Sequence, residues 1–296
     1  MTTTAADPVA DAGATRIGDP ARRTRRPRRG RGRKQHALFR LRGDIPLSLR
    51  IALGVLGVAA VFALWWVAAT AWSGGSFLVP TPTETWDAGV ELYRSGTLWT
   101  DFEASAERIL WGYAISMGVG VVVGVGIGSF RSFEAASEAS IGFLRYIPAT
   151  ALTPLFLIWL GIDEAPKIAL IVVGTVFFNI LMTADVVRSV PLDMINSAYT
   201  LGAGRLRVLR RVVLPHSWPG IVDVARINLA AAWLMLVVAE LSAGAQEGLG
   251  FRLARAQRFY QVDTMFAILI VFGVIGVSTD LGLRWLRNVT AKWARP

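Results

Sequence analysis

Few residues in this chain are of a type that could do chemistry, and their placement argues against catalysis. There is no cysteine, which removes disulfides, thiolate chemistry and Cys-ligated metal. The two histidines, His36 and His216, lie far apart in hydrophilic segments, and neither has the companions that a metal site needs. No GxxxxGK[ST] stretch occurs, so the chain has no P-loop to cradle a nucleotide phosphate. No Ser-His-Asp grouping is evident. The reading is therefore no catalytic residue, no metal, and no cofactor held by this chain. What does stand out is charge within or beside long apolar runs: Arg108, Arg145, Arg226, Glu240 and Asp280. At the centre of a bilayer one such charge costs about 2.5–3.5 kcal/mol, which a run of apolar residues can offset if the charge faces protein, water or the interface. Arg145, Glu240 and Asp280 fall near the ends of their runs, where snorkelling, interhelical pairing and a direct transport role all fit. Pro148 and Pro154 in RYIPATALTP interrupt a helical pattern, and a broken helix is tolerated in lipid only against protein or a cavity. Arg145, Pro148, Pro154 and Glu240 are thus candidates for lining a pathway.

Composition sets the elements that must position these residues. Of 296 residues, 53% are hydrophobic and 18% charged, against about 25% charged in an ordinary soluble domain. Six apolar runs approach or exceed the roughly 20 residues that cross a bilayer as a helix. They fall at 49–72, 106–128, 141–160, 165–185, 221–243 and 264–283. The ten-residue alternation of a membrane barrel is missing. The expectation is an all-α membrane protein of six transmembrane helices. A short amphipathic helix is expected after Pro80 and Pro82.

Lysine and arginine concentrate in the loops that face the cytoplasm. With the N-terminus inside, the inner segments 1–50, 129–137, 186–220 and 284–296 hold 23 of the 31 basic residues. Both termini are therefore expected in the cytoplasm, and Lys167, Arg252, Arg255 and Arg258 in outer loops. The net charge of +10 resides almost wholly in residues 1–50, which contain 13 Lys/Arg and 4 Asp/Glu. The stretch RRTRRPRRGRGRK (22–34) has no hydrophobic period. Residues 1–45 read as a disordered basic cytoplasmic tail, and 46–296 as one membrane domain. The tail suits an inside-retaining flank for the first helix, or contact with anionic membrane lipid at about 1 kcal/mol per charge. No nucleic-acid partner is expected.

Within the second run, Gly112, Gly120, Gly124 and Gly128 recur at multiples of four, a spacing that lets two helices approach closely in lipid. GVGVVVGVG (118–126) lacks the strand and glycine spacing of a dinucleotide loop.

Between the fourth and fifth runs lies RSVPLDMINSAYTLGAGRLRVLRRVVLPHSWPG. Pro191 suits the first turn of a helix over 192–201. Gly202-Ala203-Gly204 permits the left-handed turn that ends a helix. A second helix over 205–213 would place Leu206, Leu209 and Val213 on one face with Arg207, Arg210 and Arg211 around them. Leu214-Pro215 would then stop it. Such a helix–turn–helix is a docking element or an ordinary amphipathic surface loop.

This loop, 186–220, resembles the EAA loop of ABC importer permeases, the binding-protein-dependent membrane subunits. Asn196-Ser197-Ala198 takes the Glu-Ala-Ala place, Gly202 the glycine, and Val212-Val213-Leu214-Pro215 the closing Ile-x-Leu-Pro. Asn196 departs from the pattern, since it can hydrogen-bond but cannot form the ion pair that a glutamate offers. LVPTPTETW (78–86), LRYIPATALTPLFLIWLGIDEAPKI (144–168), AELSAGAQEGLGF (239–251) and QVDTMFAILI (261–270) resemble the branch handling sulfonates, taurine and nitrate. The resemblance spans residues 75–290. It implies a type I importer core in a bacterial cytoplasmic membrane, paired with a second permease copy, expected to be identical. It also implies a separate ATPase subunit that binds ATP and docks on Asn196, Ser197, Ala198, Gly202, Leu206, Leu214 and Pro215. An extracytoplasmic solute-binding protein would deliver a small solute, with an organic sulfonate, taurine or similar anion as the leading expectation. The rival is a self-contained secondary carrier or channel for a small anion, which would show corresponding broken helices in two halves; no internal repeat supports it. Arg252, Arg255 and Arg258 share a helix face that could draw an anion, meet an acidic partner, or simply be solvated.

Overall fold

The computed structural model describes residues 46–71 and 78–291. Every regular element among them is helical. The tail 1–45, with its arginine run, lies outside the described residues. The chain divides into two units, residues 1–59 and 60–296.

The helices are α1 (Leu47–Ala71), α2 (Pro82–Arg94), α3 (Thr97–Ser129), α4 (Arg131–Leu144), α5 (Thr153–Leu160), α6 (Glu164–Arg188), α7 (Leu192–Thr200), α8 (Arg205–Val208), α9 (Leu214–Ser242), α10 (Leu249–Arg258) and α11 (Val262–Thr290). Among the described residues, five helices are long and apolar enough to cross a membrane, or six if the pair 131–144 and 149–160, bent by 77°, counts as one span. Five of the expected runs fall on single long helices, while 141–160 is divided between α4 and α5 by that bend; two further corrections follow. The second helix begins at Thr97, not near 106, because Asp101, Ser105 and Arg108 find buried partners that let a polar turn extend it. The segment 129–137, expected as a loop, is mostly the first part of α4.

Local chemistry explains the helix ends. Thr81 caps α2: its Oγ1 accepts from the Glu84 backbone N–H at 3.3 Å, and Glu84 Oε2 accepts from the Thr81 N–H at 2.8 Å. Pro82 at the first helical position sacrifices no hydrogen bond. This is the short helix expected after the two prolines. Trp65 of α1 stacks on Phe266 of α11 at 5.8 Å and donates its indole N–H to the Pro80 carbonyl.

The centre of the second unit is the α3–α6 pair, and the glycine stripe explains it. A Cβ added at Gly120 would lie 2.5 Å from Asn179 Cβ, one at Gly124 2.6 Å from the Ile180 carbonyl, and one at Gly128 2.7 Å from the Ala184 carbonyl. No side chain fits there, so the two backbones touch. Ser116 continues the stripe. Its Oγ lies 2.7 Å from Thr175 Oγ1 and accepts from Asn179 Nδ2 at 2.9 Å, while Asn228 of α9 donates to Asn179 Oδ1 at 2.8 Å. In a low-dielectric interior a satisfied chain of this kind fixes three helices in one register.

Leu214-Pro215 does not stop the helix. A π turn, Leu209–Val213, joins α8 to α9, and the apolar span runs unbroken from Arg205 to Ser242. Proline lacks an N–H and its ring presses on the carbonyl one turn back; a widened turn beside it absorbs both effects without ending the helix.

Candidate functional site

The loop between α6 and α9 is built as its residues dictate. α7 starts directly after Pro191 and ends in a Schellman turn: the Ala203 N–H donates to the Ala198 carbonyl at 3.0 Å and the Gly202 N–H to the Tyr199 carbonyl at 2.9 Å. Gly202 has φ +79°, with open space where a Cβ would be, so the backbone conformation alone selects glycine. Ile195 and Ala198 pack down onto a cluster of Val190, Val208, Val213 and Ile221. Asn196, Ser197 and Leu206 face outward, and so do Leu201 and Pro215, while Leu214 is half-buried. The expected buried face of Leu206, Leu209 and Val213 is therefore corrected: Val208, not Leu206, joins Val213 inside. The π turn between them, whose hydrogen bonds span five residues in place of four, shifts the register of an ordinary helix. Arg205, Arg207, Arg210 and Arg211 are all exposed around this arm. Beneath the loop is a cavity of about 420 Å³ between the α3–α4 junction, the end of α6 and α7–α8, crossed by an Arg188–Glu134 ion pair of 2.8 Å.

The four pathway candidates do not come together. Arg145 is exposed at the end of α4, its guanidinium 4.8 Å from the Tyr146 ring and donating to the Tyr146 hydroxyl at 2.9 Å. Pro148 and Pro154 are exposed around a 3₁₀ turn, Ala149–Leu152, that makes the bend between α4 and α5. Glu240 lies elsewhere, in a buried ion-pair cluster at the opposite end of α6 from the α7 loop.

That cluster joins α3, α6, α9 and α10. Arg108 donates from Nε and Nη2 to the two carboxylate oxygens of Glu164, at 2.5 and 2.9 Å. Its Nη1 donates to Glu240 Oε1 at 2.8 Å and to the Glu247 carbonyl at 2.7 Å. Lys167 Nζ donates to Glu164 Oε1 at 2.9 Å. Glu240 also accepts from Ser105 Oγ at 2.7 Å and from the Gly250 N–H at 2.6 Å. Asp101 accepts from the Gly248 N–H at 3.0 Å and from Arg252 Nε at 2.6 Å. Gly248 sits at φ +127°, and a Cβ there would be 2.5 Å from Glu240 Oε1, so glycine lets the 243–248 loop close over the carboxylate. Three positive and three negative side chains thus balance, and each buried charge has a partner, as burial in low dielectric demands.

Lys167, expected in an outer loop, is buried in the first turn of α6, and Arg252 is paired with Asp101 and not part of a solvated stripe. One signal of the cluster stood in the sequence: Asp101, Ser105 and Arg108 recur at the spacing of one helix face ahead of an apolar run. Nothing in the sequence pointed to Glu164 or to the backbone of 248–250. A second set of pairs, Arg226–Asp280 at 3.3 Å and Arg287–Asp223 at 3.2 Å, ties α9 to α11 and places Arg226 and Asp280 in interhelical pairing. Among the described residues no His, Cys, Asp or Glu cluster is arranged to hold a metal.

An exposed helix–turn–helix thus lies between the long apolar helices α6 and α9. Residues 116–290 match the family of the binding-protein-dependent transport system inner membrane component, and the chain belongs to that family of ABC transporter permeases, a multi-pass membrane protein. It is 34% identical over 260 residues to the taurine transport system permease protein TauC of Escherichia coli, covering 86% of this chain and 94% of that one. It is 33% identical over 240 residues to the putative aliphatic sulfonates transport permease SsuC of Bacillus subtilis, covering 81% and 87%. Among solved structures the fold resembles the inward-facing MetNI methionine transporter, with TM-score 0.55, 19% identity, and coverage of 66% of this chain and 94% of that one. It also resembles a bacterial transporter that imports the acidic polysaccharide alginate, with TM-score 0.57, 14% identity, and coverage of 82% and 93%.

Proposed function

We propose that this chain is the membrane-embedded half of an ATP-driven importer for a small acidic solute, an organic sulfonate or taurine. The observation that carries the reading is the α7–Gly202–α8 element, whose residues Asn196, Ser197 and Leu206 are exposed. It occupies the register of the EAA pattern, and the chain's membership of the permease family supports a separate ATPase docking there. The ATPase binds and hydrolyses ATP; this chain holds none. Two copies of the permease enclose the pathway, and a solute-binding protein delivers ligand at the opposite face. The excess of Lys/Arg in 1–50, 186–220 and 284–296 supports a topology with both termini and the docking loop in the cytoplasm. The solute class is supported by the names of the relatives, which include taurine and aliphatic sulfonate permeases.

A mild-detergent pull-down tests this. The chain should retain a P-loop ATPase, and Gly202→Pro should release it. Proline fixes φ near −65° and removes the N–H that bonds Tyr199, so it cannot occupy a turn at φ +79°. A chain that comes down alone, with other membrane complexes intact, would move the reading to a self-contained carrier.

A further inference from the structure

The ion-pair cluster has an unusual division of exposure. Arg108 and Lys167 are 5% and 3% exposed, yet the carboxylate they share, Glu164, has a side chain 54% exposed. Three N–H donors converge on that one group: the Nε and Nη2 of the Arg108 fork and the Lys167 ammonium. Glu164 reaches them from the mouth of a cleft of about 330 Å³, a volume at the small-molecule end of ligand pockets, about 300–1,000 Å³.

We propose that Arg108 and Lys167 form a binding site for the acid group of a small solute, that Glu164 occupies it as an internal plug, and that the solute is a zwitterion. The proposal rests on the importer reading above and adds the solute's chemistry to it.

Charge accounting supports the plug. Glu240 neutralises Arg108 from behind through Nη1, and is itself held by Ser105 and the Gly250 N–H. When the Glu164 side chain swings into solvent, Arg108 keeps that pair. Its Nε–Nη2 edge and Lys167 are then left open, with one net positive charge at the floor of the cleft. A carboxylate or sulfonate matches this edge, because a planar guanidinium presents two parallel N–H groups to two oxygens. The exchange replaces one anion by another, so no buried charge is stranded.

The mouth argues for the second charge on the ligand. Asp163 and Glu247 are exposed there, Gln246 lies beside them, and the displaced Glu164 carboxylate would join them. A simple anion would meet three carboxylates on its way to the floor. A molecule with an ammonium group a short chain away from its acid group meets cations below and carboxylates above. An ω-amino sulfonate or amino acid has that form; an alkanesulfonate does not.

The test is equilibrium binding of two probes, 2-aminoethanesulfonate and ethanesulfonate, to the detergent-solubilised permease with its ATPase attached. Glu164→Ala should tighten 2-aminoethanesulfonate binding by about tenfold, the equivalent of about 1.4 kcal/mol, and Lys167→Met in that background should abolish it. In Glu164→Ala, 2-aminoethanesulfonate should bind about tenfold more tightly than ethanesulfonate, and the exposed pair of changes Asp163→Asn and Glu247→Gln should erase that preference. These surface changes keep the test valid if Lys167→Met fails to fold. Equal affinity for the two probes overturns the zwitterion. An unchanged affinity in Glu164→Ala, or no saturable binding of either probe, overturns the site. If the ATPase stays attached in those samples, the importer reading survives that failure.

Discussion

Replacing Arg108 by methionine should destabilise the permease far more than breaking an exposed ion pair of the same length, Arg188–Glu134. Glu240 has a fully buried side chain, and among the described residues Arg108 is the cation that pairs with it. Removing that cation leaves a charge stranded in low dielectric, which costs about 3–5 kcal/mol. The Glu247 carbonyl loses its donor as well. For a folded body of this size each kcal/mol moves the unfolding midpoint by about 2–4 °C, so the expected fall is about 6–20 °C. Glu134→Gln removes an equally close contact, 2.8 Å to Arg188, but both of those side chains are more than a third exposed and can be rehydrated. Its cost should stay below about 1 kcal/mol, the usual range for exposed pairs. The double variant Arg108→Met/Glu240→Met should recover most of the loss, because paired apolar residues of similar volume replace a buried ion pair with little net change. Thermal unfolding of the detergent-solubilised protein, followed by tryptophan fluorescence, measures all three. Equal midpoints for Arg108→Met and Glu134→Gln would refute the argument that burial, not contact distance, decides what each pair contributes.

Two further predictions use other parts of the molecule. Gly120→Ala should destabilise by about 1–3 kcal/mol, since its methyl meets Asn179 at 2.5 Å, whereas Gly118→Ala, with open space around it, should be neutral or stabilising by up to about 1 kcal/mol; thermal unfolding distinguishes them. Asn196→Glu on the exposed face of α7 should keep or increase the amount of ATPase recovered in the pull-down, and loss of assembly would show that the docking register lies elsewhere.

The spans were legible because lipid imposes a length and a polarity on each helix, and the glycine stripe was legible because its four-residue period has one physical use. The Gly202 turn could be read for the same reason: a glycine between two amphipathic segments is needed where φ is positive. Pro215 misled because its effect depends on the turn before it, and a π turn is not encoded in any simple pattern of residue types. Leu206 and Val208 exchanged places as a result. The ion-pair cluster was mostly illegible. Arg108 could be marked as a costly charge, but its partners are Glu164 of α6, Glu240 of α9 and the Glu247 carbonyl, separated from it by up to 139 residues. Sequence spacing within one helix cannot show which distant carboxylate will answer it.

The uninterrupted helix from Arg205 to Ser242 has a mechanical consequence. Its 38 residues, at about 1.5 Å each, make a rod about 57 Å long. One end carries the exposed Leu206, and the other carries Glu240, the anchor behind the Arg108 fork. The exposed arm is therefore the handle of a lever and not a tether on a hinge. A push on it can be absorbed only at the π turn and the prolines near it, and what is not absorbed there arrives at the far end as displacement of a carboxylate. The same peptide rod that begins in the exposed arm carries, at its other end, the carboxylate behind the Arg108 fork.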